Sequence, residues 1–183
     1  MKLRLDNVRF SYAYVDKPRE PQKAGKERQW EITAIIDEKE NPEALKKAKD
    51  AIASFDGHPK FRGKRPSKNC LRRGDDTPSR AEDPALGEGK WTLSAKRKES
   101  DGPFPIVDKN KSPINARDVY SGCYGSLLVS LYAWGNDKEG PFVCGVSADL
   151  LAVVKTAEGE PLTSKVEADL DKDFADLGDS EEL

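Results

Sequence analysis

At 183 residues, 36% hydrophobic and 35% charged, the chain is long enough for one domain with a real core plus sequence that stays outside it. No run approaches the roughly 18 uninterrupted apolar residues of a membrane helix, and the N-terminus has no apolar signal-peptide core, which points to a cytosolic protein. The net charge of −2 hides a split: residues 164–183 hold eight acids against two lysines, a net −6, which leaves +4 on residues 1–163.

Residues 2–14 alternate as a strand does, with Leu3 and Leu5 in one phase and Val8, Phe10, Tyr12 and Tyr14 in the other. The phase change at Asp6 and Asn7 predicts a bulge. A polar loop over 16–28 follows, with five basic residues: Lys17, Arg19, Lys23, Lys26 and Arg28. Residues 29–36 form a second strand with Trp30, Ile32, Ala34 and Ile36 on one face. Asn41 and Pro42 read as an N-cap and first helical residue. Ala44, Leu45, Ala48, Ile52 and Phe55 recur at helical spacing, and Gly57 closes this one short helix. Its expected place is one end of a sheet.

Residues 60–89 read as a long irregular excursion. Strand character returns at 90–97, where Trp91, Leu93 and Ala95 alternate with Thr92, Ser94 and Lys96. Ile106, Val107 and Ile114 flank a turn at 108–111. The longest β-prone run spans 120–134, and a last strand covers 142–154. Five or six strands with one helix and long loops predict a closed or nearly closed antiparallel barrel, although periodicity alone does not separate a barrel from a sandwich.

Chemistry concentrates in residues 60–73. Seven of these fourteen are basic (Lys60, Arg62, Lys64, Arg65, Lys68, Arg72, Arg73), none is acidic, and Phe61 lies among them. Cations that track phosphates and a ring that stacks on an exposed base are what a single strand requires. Lys96, Arg97 and Lys98 extend the basic surface. Tyr12, Tyr14, Trp91, Tyr120 and Tyr124 are the further candidate stacking rings. Tyr120 and Tyr124 share a face if no bulge intervenes.

The segment after residue 160 has too little apolar surface to offset its ordering entropy, so a flexible acidic tail is expected over 161–183, following a folded domain over 1–160. Tethered to a basic body, a polyanion competes with DNA for the groove and, once displaced, is free for protein partners. Asp173, Phe174, Asp176, Asp179, Glu181, Glu182 and Leu183 are its candidate partner-binding residues.

Enzyme signatures are missing. Asp75, Asp76, Glu82 and Asp83 offer carboxylates for a two-metal nuclease acting on branched DNA, but in a loop with no regular frame. The sequence has no phosphate loop, HExxH or GxSxG, and its single histidine, His58, falls in a turn. Cys70, Cys123 and Cys144 lack zinc-site spacing and read as free thiols. No cofactor, no metal and no catalysis are expected. The nuclease and a non-DNA scaffolding protein are the rivals.

The segment Tyr120-Ser121-Gly122-Cys123-Tyr124-Gly125, the run from Leu127 to Trp134, and Gly145-Val146-Ser147-Ala148-Asp149-Leu150 resemble a phage protein family once catalogued only as a domain of unknown function. Its characterised members are single-stranded DNA-binding proteins with an OB-fold. The resemblance extends over most of residues 1–156. It implies a mainly β, five-stranded Greek-key barrel with long loops that binds single strands without strong sequence preference. It implies work in phage DNA replication, recombination and repair, in the cytoplasm of a bacterial host. Polymerase and helicase contacts through the tail are implied too, and a homodimer is an allowed assembly. Tails of this kind commonly end in phenylalanine, whereas this one ends Glu181-Glu182-Leu183 with Phe174 further in.

Overall fold

The computed structural model describes residues 1–162, so the tail residues named above lie outside the described residues. Eight strands occur in chain order: β1 (Lys2–Arg19), β2 (Gln29–Asp37), β3 (Lys68–Asn69), β4 (Leu71–Arg73), β5 (Lys90–Lys98), β6 (Ile106–Asp108), β7 (Tyr124–Asn136) and β8 (Val143–Ala157). Helix α1 spans Pro42–Ala53 and the single turn α2 spans Pro78–Ala81. Five long strands close a barrel. β1 pairs antiparallel with β2 and β7, β2 with β5, and β7 with β8. The ring closes where β5 meets β8 in parallel, Lys96 opposite Asp149. This Greek-key order is that of an OB-fold.

Alternation decides what fills it. Leu3, Leu5, Val8, Phe10, Ile32, Ala34, Ile36, Leu93, Leu127, Val129, Leu131, Val146 and Leu150 point inward and are buried. Burying a side chain of this size contributes about 1.5–3 kcal/mol, so the alternating phase fixes the register of each strand. The bulge expected near Asp6 is present: Asn7 has φ 54°, and the β1–β7 register shifts between Leu5 and Val8. Asn41 stabilises two elements at once. Its side chain accepts from Ala44 N and donates to the carbonyls of Asp6 (2.8 Å) and Asn7 (3.1 Å), tying α1 to that bulge.

Three boundaries differ from the sequence reading. β1 runs on to Arg19, because its far end pairs with β2 through Tyr14–Glu31 and Arg19–Gln29. Residues 120–123 form a turn before β7. The 60–89 excursion is partly regular: β3 lies parallel on β8 and β4 antiparallel on β5. That approach needs Gly145, since a Cβ there would overlap the Lys68 carbonyl oxygen.

Candidate nucleic-acid interface

Phase sorts the predicted site residues. On β2 and β5 the outward set is Gln29, Glu31, Thr33 and Lys98, Lys96, Ser94; Trp30, Ile32, Arg97 and Ala95 take the inward phase. The outward face carries a continuous groove formed by four adjoining hollows of 260–540 Å³. One end lies beside Tyr12, Arg19 and Arg72. The middle crosses Glu31, Lys96, Gln29, Lys98, Asn69 and Cys70 at the β5–β8 seam. The other end lies between residues 20–28 and the β7–β8 hairpin, over Tyr132 and Trp134.

Local structure places each group. Tyr12 has φ 45°, a left-handed conformation that costs a non-glycine residue about 1–2 kcal/mol. The chain holds it because Ala13 N donates to Ser121 Oγ and the β1–β2 register shifts there. Tyr12 is therefore 52% exposed at the groove edge. Tyr14 faces out beside Glu31 with the Arg19 guanidinium 4.0 Å over its ring. Glu31 accepts from Arg19 at 2.9 Å and pairs with Lys96 at 3.0 Å, so it sets both cations. β3 delivers Lys68 to the groove.

Charge in the lining is one-sided: eight cations (Arg19, Lys23, Lys26, Lys68, Arg72, Arg80, Lys96, Lys98) against four acids (Glu20, Glu31, Glu139, Asp149). Among the described residues Lys23, Lys26, Lys68 and Lys98 make no ion pair, whereas Arg72 and Arg80 both contact Asp76. Burial pushes the Cys70 thiol up to about 11. Burial, and then the Asp149 charge, raise the Tyr132 hydroxyl. Asp149 itself is raised by burial and by Asp101, against the pull of Lys98 and Arg97.

Several predicted residues sit elsewhere. Phe61 is 1% exposed: the turn Pro59–Phe61, capped by His58, sends its ring into the core, where no base can stack on it. Trp91 takes the inward phase at the α1 end, under Lys49 (4.3 Å), with its indole N–H on Glu38. Arg97 also takes the inward phase and donates to the carbonyls of Asp101, Gly102 and Leu150, a structural bracket. Tyr120 lies in the turn before β7, its hydroxyl bonded to Glu158 and Gly159. Tyr124, beside Arg9, starts β7 at the end opposite Tyr132; Tyr120, in the turn, shares no strand face with it, and neither Tyr120 nor Tyr124 lies in the groove lining.

Lys60, Arg62, Lys64 and Arg65 lie outside the groove lining. Arg62 binds Asp137 (2.8 Å) and covers the Phe142 ring (4.6 Å), with Lys64 also over that ring. Arg73 forks onto Asp75, at 3.0 and 3.2 Å. Two of the four carboxylates considered for a nuclease are thus engaged: Asp75 by Arg73, and Asp76 by Arg72 and Arg80.

Sequence reasoning overlooked Tyr132 (42% exposed) and the half-buried Trp134 as site residues. The signal was available: Leu127, Val129, Leu131 and Ala133 form the core phase of β7, so Tyr132 and Trp134 must face out.

A closed five-stranded barrel with a cationic, ring-lined groove across its outer face defines an OB-fold protein of the nucleic-acid-binding kind. The chain belongs to the family described as Enterobacter phage Enc34, ssDNA-binding protein, which it matches over residues 1–183. Protein p50 of Acyrthosiphon pisum secondary endosymbiont phage 1 is 28% identical over 202 residues, covering 100% of this chain and 97% of that protein. The fold is shared with the single-stranded DNA-binding protein of bacteriophage Enc34 solved in complex with ssDNA (TM-score 0.66, 22% identity, 88% of this chain and 89% of that one). It is also shared with gp2.5, a single-stranded DNA-binding protein encoded by bacteriophage T7 (TM-score 0.58, 12% identity, 100% and 97%).

Proposed function

We propose that this protein binds single-stranded DNA with little dependence on sequence, without catalysis, and serves phage DNA replication, recombination and repair in the cytoplasm of a bacterial host. The observation that carries the reading is the groove, in which four lysines without an ion pair among the described residues line a path running from Tyr12 to Tyr132 and Trp134. Lysines hold phosphates and are indifferent to base identity, and exposed rings stack on any base for about 1–3 kcal/mol each. The acidic residues after 163 compete with the strand for the basic groove and, once displaced, recruit replication proteins such as a polymerase or helicase. Family membership and the shared OB-fold support this reading.

Fluorescence-anisotropy titration of labelled oligo-dT tests it, with the full chain and with a chain ending at Thr163. The expected result is saturable binding that tightens on truncation. No retention of oligo-dT at moderate salt would refute DNA binding, and unchanged or weaker binding after truncation would refute tail competition.

A further inference from the structure

Two carboxylates stand in the middle of the groove, and they differ in their surroundings. Glu31 is neutralised by Arg19 and Lys96. Asp149 lies opposite Lys96 across the β5–β8 seam, but the Lys96 ammonium is 3.0 Å from Glu31 instead. Among the described residues no cation lies within 4 Å of Asp149, and its carboxylate accepts no hydrogen bond. It is exposed and faces out: Ala148 and Leu150 beside it are buried, and it shares one hollow with Tyr132, Trp134, Lys68 and Lys98.

A bare carboxylate constrains what can lie against it. A phosphate is excluded by like charge, so the backbone of a strand in this groove is held on the lysines and the bases turn toward the floor. A base edge placed there must donate. Guanine offers two adjacent donors, N1–H and the N2 amino group, matching the two carboxylate oxygens. Cytosine and adenine each offer one amino group beside a ring-nitrogen acceptor. Thymine offers one N–H between two carbonyl oxygens, the poorest match.

We infer that Asp149 is a base-reading residue of the groove, accepting the paired N–H groups of a guanine stacked beside Tyr132 and Trp134. The preference is superimposed on general single-strand binding and rests on the DNA-binding reading above. It makes the central slot selective and leaves the two ends tolerant.

The test compares oligo-dT with an alternating dG/dT oligonucleotide of equal length, in lithium salt to suppress guanine quadruplexes. Both are titrated against the full chain and against Asp149→Asn, with thermal melting to confirm that the variant folds. The full chain is expected to bind the guanine-containing strand about fivefold or more tighter, as one bidentate contact provides. Asp149→Asn is expected to bring the ratio of the two affinities to about one. Equal binding of both strands by the full chain overturns the inference. So does a preference that survives in Asp149→Asn, which would make it a stacking effect. Equal tightening on both strands in the variant also overturns it, because Asp149 would then be only a repelling charge. Failure of the full chain to bind either strand refutes the DNA reading itself.

Discussion

The number of unpaired cations in the groove sets how steeply DNA binding should fall with salt. Lys23, Lys26, Lys68 and Lys98 have no acidic partner among the described residues, so each can neutralise a phosphate directly. Arg19, Lys96 and Arg72 must first leave Glu31 or Asp76 and contribute less. Four phosphates at about −0.7 each give a log–log slope near −3, a loss of roughly 50-fold between about 50 and 200 mM salt. Lys68→Ala combined with Lys98→Ala should bring the slope to about −1.4 and the loss to roughly sevenfold. Arg73→Ala is the control, because its guanidinium is held by Asp75 outside the groove lining. Anisotropy titrations of labelled oligo-dT over a salt series read all three proteins. An unchanged slope in the double lysine variant, or a slope reduced by Arg73→Ala, would refute this assignment of the phosphate path.

Tyr132→Ala should weaken oligo-dT binding by about 1–3 kcal/mol, whereas Tyr124→Ala, at the far end of β7, should leave it unchanged; equal effects would sink the placement of the groove. Phe61→Ala should destabilise the fold by about 3–5 kcal/mol, read as a drop of roughly 10 °C or more in Tm; loss of DNA affinity at unchanged Tm would return Phe61 to the binding surface. With its thiol pushed up to about 11, Cys70 should be protonated at neutral pH, and its alkylation rate should rise about tenfold per pH unit until pH nears 11. Bound oligo-dT should slow that alkylation because Cys70 lies in the groove floor; a profile that levels off near pH 9, or no protection by DNA, would contradict this.

The barrel was legible because its strands obey one rule. The inward phase of β1, β2, β5 and β7 is apolar at nearly every second residue, so it could be read directly, including the slip at Asn7. Closure was not legible. It depends on one parallel contact between Lys96 and Asp149, and nothing in the local pattern of either strand announces a partner 53 residues away. The two short strands in the 60–89 excursion escaped notice for a similar reason: two- and three-residue strands have no period to detect.

The site was partly legible, and its errors share one cause. Charge density drew attention to residues 60–73, but a dense basic run records composition and carries no orientation. The fold divides that run, sending Lys68 and Arg72 into the groove, Phe61 into the core and Arg62 onto Asp137. Trp91 and Arg97 were misplaced although their phase was visible, since both alternate with Thr92, Ser94 and Lys96 and so belong with Leu93 and Ala95. Applied to β7, the same phase puts Tyr132 and Trp134 on the outer face together with Tyr124, and only position along the strand then keeps Tyr124 out of the groove. In a small barrel, then, the core phase of each strand should be assigned first and the surface residues taken from what remains. A ring or cation in the core phase stabilises the fold, as Arg97 does with its three carbonyl contacts, and one in the opposite phase is available to a strand of DNA.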